Sequence, residues 1–290
     1  MNGALDAFDQ GLHALGGLLG VGTRVVRTAL GDLRVYEATG RGSLPPLVLL
    51  HGLAAGSAAQ FVPYLLAGRG PFRRVIAPDL PGHGGSPPLP RMDTPSLYAA
   101  VVAALDEVVD EPPVVYGNSL GGAVALHYGL VRPTRALILA SPAGTPLRDD
   151  LLQALLTRLL VRDEMEVCRL LGSLHEEPAL WARLIAADVR VRFEQPHIRA
   201  LVSSVRNEHG FTPDMLRGLA APALIVWGAT DHLLPVEMLA YYRAYLPARF
   251  ERPRGVGHVP HVEAPWWMWQ RLVAFARECI AEATPGDNRR

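Results

Sequence analysis

Lysine is absent from this chain of 290 residues, so all 28 of its basic side chains are arginines. That absence excludes Schiff-base catalysis by lysine and a lysine-containing phosphate-binding loop. The 28 arginines balance 28 acidic residues, and a net charge of zero does not predict a nucleic-acid-binding surface. The two cysteines, Cys168 and Cys279, lie far apart without metal-ligand spacing. We expect two buried thiols, with neither a metal site nor a disulfide.

Long apolar runs are also missing, since none reaches the roughly 18 residues that a membrane-spanning helix needs. Residues 1–23 have no positively charged start and carry Asp6 and Asp9, so they do not resemble a signal peptide, and we predict a cytoplasmic location. Apolar residues recur there at spacings of three and four, which predicts an amphipathic helix: Leu5, Phe8, Leu12, Leu15 and Leu19. We expect this helix to pack on the protein itself. Weak association with a membrane or with a second copy remains an alternative, so both a monomer and a homodimer are possible.

Short apolar strands alternate with helical patterns along most of the chain. The strands include Pro46–Leu50, "RRVIAPDL", "PVVYG", "RALILAS" and Pro222–Gly228. This alternation predicts an α/β fold with a mostly parallel sheet and helices on both faces. Before it, "TRVVRTAL" and "LRVYEAT" predict an antiparallel pair with its turn at Gly31 and Asp32.

The segment from about residue 145 to residue 215 lacks strand patterns and is rich in leucines at helical spacing. We predict a helical cap over residues 145–215, inserted after the sixth strand into a core formed by residues 1–144 and 216–290. Such an insertion would stand over the carboxyl ends of the strands, where open α/β sheets bind ligands. Leu156 and Leu160 are the candidate substrate-binding residues. The leucines could instead only pack the cap helices together.

A lone serine, Ser119, lies in "GNSLG" between a strand pattern and a helix pattern. This Gly-x-Ser-x-Gly spacing in that context is typical of a nucleophile held at a sharp strand-to-helix turn. The flanking Gly117 and Gly121 are needed because side chains there would collide with neighbouring backbone. The alternative is an ordinary glycine-rich turn with a serine that caps the helix.

A serine nucleophile needs a histidine base and an acid that orients it, and in this kind of sheet the order is serine, acid, histidine. Asp231 in "GATD" and His258 in "GVGHVPH" follow the serine, each after a strand pattern. Asp79 also follows a strand, but it precedes the serine, and we expect it to brace its loop together with His83. Asp231 and His258 are therefore the predicted acid and base.

The sequence predicts two backbone N–H groups that bind an oxyanion. The strand before "HGL" ends at His51 and Gly52, so the next turn can direct the N–H of Leu53 inward toward that of Leu120 at the helix start. We expect His51 to hold this loop, with His261 as another neighbour of the site. Glu263 is expected to tie down the loop that carries the histidine.

These stretches together resemble the α/β-hydrolase family, in particular its carboxylesterases and monoacylglycerol lipases. The matching segments are "HGL", "PDLPGHGGS", "GNSLGG", "GATD" and "GHVPHVEAP". The resemblance implies an eight-stranded, mostly parallel sheet with an inserted cap, and a serine hydrolase that needs no metal or organic cofactor. It also implies Ser119 as nucleophile, Asp231 as acid and His258 as base, with Leu53 and Leu120 as oxyanion donors.

We therefore predict cleavage of carboxylic esters, with apolar acyl esters or monoacylglycerol-like lipids as substrates. One alternative is a carbon–carbon bond hydrolase of the ring-cleavage type, although the tryptophan expected soon after its histidine is missing before Trp266. A second is a cofactor-free perhydrolase or haloperoxidase-like enzyme, although Leu53 replaces its usual aromatic oxyanion residue. The third is a non-catalytic binding protein, but no triad residue is lost.

Overall fold

An eight-stranded sheet forms the centre of the protein in the computed structural model, which describes residues 3–175 and 181–283. The strands are β1 (Gly22–Thr28), β2 (Gly31–Thr39), β3 (Leu47–Leu50), β4 (Arg74–Pro78), β5 (Val114–Asn118), β6 (Ala136–Ala140), β7 (Ala223–Val226) and β8 (Ala248–Glu251). Their order across the sheet is β1-β2-β4-β3-β5-β6-β7-β8. Pairs β1–β2 and β2–β4 are antiparallel, and the remaining pairs are parallel. The predicted α/β-hydrolase architecture, with its mostly parallel eight-stranded sheet, is confirmed.

Helices cover both faces of this sheet. Their bounds are α1 (Ala4–Leu18), α2 (Val62–Gly68), α3 (Thr94–Asp106), α4 (Leu120–Val131), α5 (Asp149–Leu159), α6 (Glu164–Leu174), α7 (Trp181–Glu194), α8 (Pro196–Ser204), α9 (Pro213–Arg217), α10 (Val236–Tyr245), α11 (Pro260–Glu263) and α12 (Pro265–Ala283). Short 3-10 helices occur at Ala58–Phe61 and Asn207–His209.

The central strands are buried on both faces, as their continuous apolar sequences predict. In β3, Leu47 and Leu49 enter one hydrophobic cluster, while Val48 and Leu50 enter the other. Side chains alternate across a sheet, so each apolar run supplies both layers. One cluster includes residues of α3, α4 and α10, and the other includes residues of α2 and α12.

The amino-terminal hairpin turns earlier than its sequence predicts. Thr28 pairs with Gly31, so the two loop residues are Ala29 and Leu30, whereas Gly31 and Asp32 already belong to β2. Gly31 has a φ of 139°, a conformation that glycine accepts readily. The glycine was correctly associated with the turn, but it begins the second strand rather than forming the loop.

Five helices, α5 to α9, lie between β6 and β7, and the first four, α5 to α8, fall wholly within the region where the cap was expected. Residues of all four enter the hydrophobic cluster on the α4 side of the sheet. The next helix, α9, contacts α10. The division into a core (1–144 and 216–290) and a cap (145–215) stays a prediction, and residues 176–180 lie outside the described residues.

The amino-terminal segment is helical, as its spacing predicts, and α1 packs on α2 and α7. Gly16 is the buried residue of the helix, whereas Phe8 and Leu18 are exposed. Arg192 of α7 binds Asp6 and Asp9 of α1 through Nη2 at 3.1 and 2.8 Å. Contact with a membrane or a second copy through the exposed face stays a prediction. Among the described residues, no helix has the length and apolar character needed to cross a membrane.

Candidate active site

Ser119 lies at the junction between β5 and α4, in a conformation that few non-glycine residues adopt. Its φ is 56° and its ψ is −116°. A Cβ atom on Gly117 would lie 2.1 Å from Gly121 O, and one on Gly121 would lie 2.3 Å from Leu50 O. These close approaches explain both glycines. Ser119 occupies the N-cap position but makes no side-chain capping bond, so the alternative of a simple capping serine does not describe it.

Asn118 ties the serine turn to the loop that carries the histidine. Its Nδ2 donates to His258 O at 2.8 Å and to Ala140 O at 3.1 Å, and the side chain is almost completely buried. Sequence analysis predicted no role for this residue. Its one local signal is a polar side chain at the end of an apolar strand, a position where burial requires hydrogen-bond partners.

Asp231 contacts His258, which lines the same cavity as Ser119. His258 Nδ1 lies 2.8 Å from Asp231 Oδ2, and both side chains are buried. The backbone N–H groups of Leu233 and Leu234 donate to the other carboxylate oxygen at 3.0 and 3.2 Å. Burial alone would raise the pKa of Asp231, but the charge and hydrogen bond of His258 hold that pKa below its ordinary value. The carboxylate is thus prepared to stabilise a protonated imidazole.

Glu263 fixes the backbone on both sides of His258. Its Oε2 accepts from Gly257 N at 2.9 Å, and its Oε1 accepts from Val259 N at 3.0 Å. Burial would raise the pKa of Glu263, but hydrogen bonds from His175 and from these two N–H groups keep it low. The expected role of Glu263 in tying down this loop is confirmed.

His51 orients the peptide group that carries the expected oxyanion donor. Leu80 N donates to its Nε2 at 3.0 Å, so Nδ1 carries the proton and donates to Gly52 O at 2.8 Å. Gly52 C=O and Leu53 N–H belong to one planar peptide and point in opposite directions. The N–H of Leu53 therefore points away from His51. A Cβ on Gly52 would lie 3.5 Å from Ser119 Cβ, which places this peptide beside the nucleophile.

His83 holds the following residue of the same loop. Its Nε2 accepts from Ala54 N at 3.0 Å, so Nδ1 donates to Pro81 O at 3.0 Å. Burial lowers the pKa of His51 to about 4 and that of His83 to about 3. Both rings stay neutral near pH 7, so each can accept one hydrogen bond and donate another.

Asp79 is committed to the structure of its own loop. Its Oδ1 accepts from Ala58 N at 2.6 Å, and its Oδ2 accepts from Gly85 N at 2.8 Å and from Arg34 Nε at 2.6 Å. Asp79 braces the loop as expected, but it does so through these groups rather than through His83. Its two oxygens are thus bonded to Ala58, Gly85 and Arg34, whereas His258 is bonded to Asp231.

His261 lies beneath the site in a network with Tyr116 and Gln60. Its Nδ1 is 3.0 Å from the Tyr116 hydroxyl, and its Nε2 is 3.0 Å from Gln60 Oε1. Burial lowers the pKa of His261 to about 3. It is a neighbour of the site, as expected, and the network reaches the cavity through Gln60.

Ser119, His258, Leu53 and Leu120 all line one cavity of about 300 Å³. Within residues 3–175 and 181–283, no hydrogen bond joins Ser119 Oγ to His258, a contact that in many enzymes tightens only in the substrate complex. In the same part of the chain, no group of three His, Cys, Asp or Glu side chains is placed to hold a metal ion.

The inserted helices, with Val205 directly after α8, provide a large part of the apolar wall of the cavity. Their lining residues are Leu152, Leu155, Leu156, Leu159, Leu170, Leu171, Leu174, Val189, Phe193, Leu201, Val202 and Val205. Leu156 lines the cavity as the helical spacing predicts, but Leu160 does not. Helix α5 ends at Leu159, and Leu160 has a φ of −91° and a ψ of 54°. Its side chain consequently does not continue the row of α5 leucines that faces the cavity. It lines a groove on the outside instead, next to Arg206 and Glu208.

Comparison with known sequences identifies the family. The sequence profile described as the alpha/beta hydrolase family matches residues 47–265. The chain is an alpha/beta hydrolase. The matched region contains all of the predicted triad and oxyanion residues.

Relatives of this alpha/beta hydrolase include enzymes that are named for different activities. One is the dihydrolipoyllysine-residue acetyltransferase component of the acetoin cleaving system of Pseudomonas putida, 31% identical over 85% of this chain and 67% of that protein. Another is the pimeloyl-[acyl-carrier protein] methyl ester esterase of Aromatoleum aromaticum, 30% identical over 76% of this chain and 94% of that protein. A solved structure described as a membrane phospholipase A has 24% identity and a TM-score of 0.79, and covers 94% of this chain and 91% of that one. At an identity this low, the similarity between the two structures shows a shared fold and nothing about activity.

Proposed function

We propose that this alpha/beta hydrolase cleaves carboxylic esters through an acyl-enzyme formed on Ser119. The observation that carries the proposal is the 2.8 Å bond between His258 Nδ1 and Asp231 Oδ2, because His258 lines the same cavity as Ser119. A histidine oriented by a buried carboxylate can accept the serine proton, which the hydroxyl must lose to attack. The esterase among the relatives supports the same reaction class.

In the first half of the reaction, Ser119 Oγ bonds to the ester carbonyl carbon while His258 Nε2 takes its proton. The carbonyl becomes an oxyanion, for which the N–H groups of Leu53 and Leu120 are the proposed donors. The C–O bond to the alcohol then breaks, and His258 returns the proton to the leaving oxygen. Asp231 stabilises the imidazolium in between.

In the second half, water replaces the alcohol. His258 removes a proton from water, the resulting hydroxide adds to the acyl carbonyl, and Ser119 leaves with the proton from His258. The products are a carboxylic acid and an alcohol. The apolar wall from α5 to α8 suits an apolar acyl or alcohol chain, and we propose that residues 145–215 act as a cap that selects it.

A carbon–carbon bond hydrolase would need positive groups for the carboxylate of its dienolate substrate. Arg206, a cation at the cavity wall, is exposed, and its Nη1 donates to Ser203 O and Val205 O at 2.7 and 2.8 Å. The lining of the cavity therefore favours ester hydrolysis over this alternative.

The test is a panel of 4-nitrophenyl esters from acetate to palmitate, together with monoacylglycerols, on wild type, Ser119→Ala and Ser203→Ala. Ser203 is an exposed serine of α8, which makes it a matched control. We expect Ser119→Ala to lower kcat by about 10⁶-fold, while Ser203→Ala keeps the wild-type value. Comparable hydrolysis by wild type and Ser119→Ala would contradict the proposal.

A further inference from the structure

Two polar atoms in the wall of the largely apolar cavity have no hydrogen-bond partner among the described residues. They are Thr145 Oγ1 and His209 Nδ1. Thr145 is only 6% exposed. An unpaired buried polar atom is unfavourable, so buried polar side chains normally have a partner. Atoms of this kind on the wall of a substrate cavity are placed to pair with a polar group of the substrate.

Thr145 and His209 line the same cavity as Ser119, and the backbone near Thr145 is bonded to that of Ser119. Ala143 N donates to Ser119 O at 3.0 Å, and Thr145 follows two residues later. A group bound by Thr145 would therefore belong to the part of the substrate near the scissile ester.

His209 is brought to Thr145 by pairing between two distant segments. Phe211 N donates to Gly144 O at 2.8 Å, and Asn207 exchanges two hydrogen bonds with the backbone of Leu147 at 2.9 and 2.8 Å. Residues 144–147 and 207–211 thus run side by side. The amide oxygen and the amide nitrogen of Asn207 are both used in this pairing, so we assign this side chain a structural role.

The chemistry of the two atoms identifies the group that fits both. His209 Nε2 lies 3.8 Å from Glu208 Oε1, and we assign the proton to Nε2, on the side of that carboxylate, so that Nδ1 is an acceptor. Nδ1 then needs a donor, which a carbonyl, an ether or a carboxylate does not provide. Thr145 Oγ1 can donate as well as accept. A hydroxyl can donate to Nδ1 and accept from Thr145 at the same time.

We infer that Thr145 and His209 form a subsite for a hydroxyl group, and that the enzyme selects hydroxylated esters over plain alkyl esters. This inference rests on the proposed ester hydrolysis and narrows its substrate class. The hydroxyl could belong to the alcohol portion, as in a glyceryl ester, or to the acyl portion, as in a hydroxyacyl ester.

Two matched substrate pairs separate these sources. The first is 1-monooctanoylglycerol against propyl octanoate, and the second is methyl 3-hydroxyoctanoate against methyl octanoate. In each pair the ratio of kcat/KM is measured for wild type, Thr145→Val, His209→Leu and Thr230→Val. Thr230 is the matched control, because its Oγ1 is also buried without a partner among the described residues but lies outside the cavity.

We expect wild type to prefer the hydroxylated ester in one pair by roughly tenfold, the usual scale for a hydrogen bond to a buried group. Thr145→Val and His209→Leu should each bring that ratio toward one, and Thr230→Val should keep it. The pair that responds identifies the portion carrying the hydroxyl. A wild type without preference in either pair, or a preference that survives Thr145→Val, would overturn the inference while leaving ester hydrolysis intact. If wild type hydrolysed none of the four esters, the proposed function would be overturned, and the inference with it.

Discussion

The candidate catalytic groups and the cavity wall are built by different kinds of interaction. Ser119, Asp231 and His258 follow the strands β5, β7 and β8, and backbone hydrogen bonds and buried polar side chains fix each of them. The wall from α5 to α8 consists mainly of leucine side chains. Hydrogen bonds are directional, whereas apolar packing tolerates changes of shape. We therefore expect the core to determine whether an ester is cleaved, and the inserted helices to determine which one.

After the loss expected for Ser119→Ala, the largest effect on this contrast is expected at Asp231. Asp231→Asn should lower kcat by about 10⁴-fold, because an amide favours the wrong imidazole tautomer, and this magnitude is known from serine-protease triads. The measurement is steady-state kinetics on folded protein. A greater loss of kcat in folded Asp79→Asn would contradict the assignment of the acid.

A smaller effect is expected at Glu263, which does not touch the substrate cavity. In Glu263→Gln, the new NH₂ group faces the N–H of Gly257 or of Val259, so one hydrogen bond to the histidine loop is lost. Displacement of His258 should lower kcat by about tenfold with little change in KM.

The exposed Glu237 offers a control for that change, since Glu237→Gln removes the same charge at the start of α10. If KM rose and kcat stayed constant in Glu263→Gln, the residue would act on substrate binding rather than on the position of His258.

The smallest effect is expected in the apolar wall of the cavity. A substitution there should change the preference among acyl chains rather than the overall rate of hydrolysis. Leu156→Phe should fill part of the cavity and shift the ratio of kcat/KM between neighbouring even-numbered acyl esters by about tenfold, since each excluded methylene forfeits roughly 0.8 kcal/mol. Acetate hydrolysis should change little. Leu160→Phe is the matched control, because both residues line the outside groove but only Leu156 also lines the cavity. Equal losses for acetate and octanoate in Leu156→Phe would show that the wall does not select chain length.

The same contrast explains what the sequence could predict. The triad candidates were identified because a glycine-spaced serine and two strand-end residues are local patterns, and parallel strands bring their carboxyl ends to one edge. Leu160 was misplaced because helical spacing continues past Leu159, where the helix itself stops. Periodicity assigns a face only as far as the helix extends.

Other features of the site depend on contacts between distant parts of the chain. The role of Asn118 depends on its bond to the backbone of His258, which is 140 positions away in the chain. The meeting of Thr145 with His209 likewise depends on pairing between segments about 60 residues apart, such as Leu147 with Asn207. Contacts of this range follow from the assembled fold, so sequence spacing could not reveal them.

The most direct test of the account is labelling of Ser119 by a fluorophosphonate, analysed by intact mass and peptide mapping. We predict one covalent adduct, located on Ser119, and a labelling rate that falls by orders of magnitude in His258→Ala, because the hydroxyl then lacks its base. An adduct at another residue, or an unchanged labelling rate in His258→Ala, would contradict the assignment of a serine activated by His258.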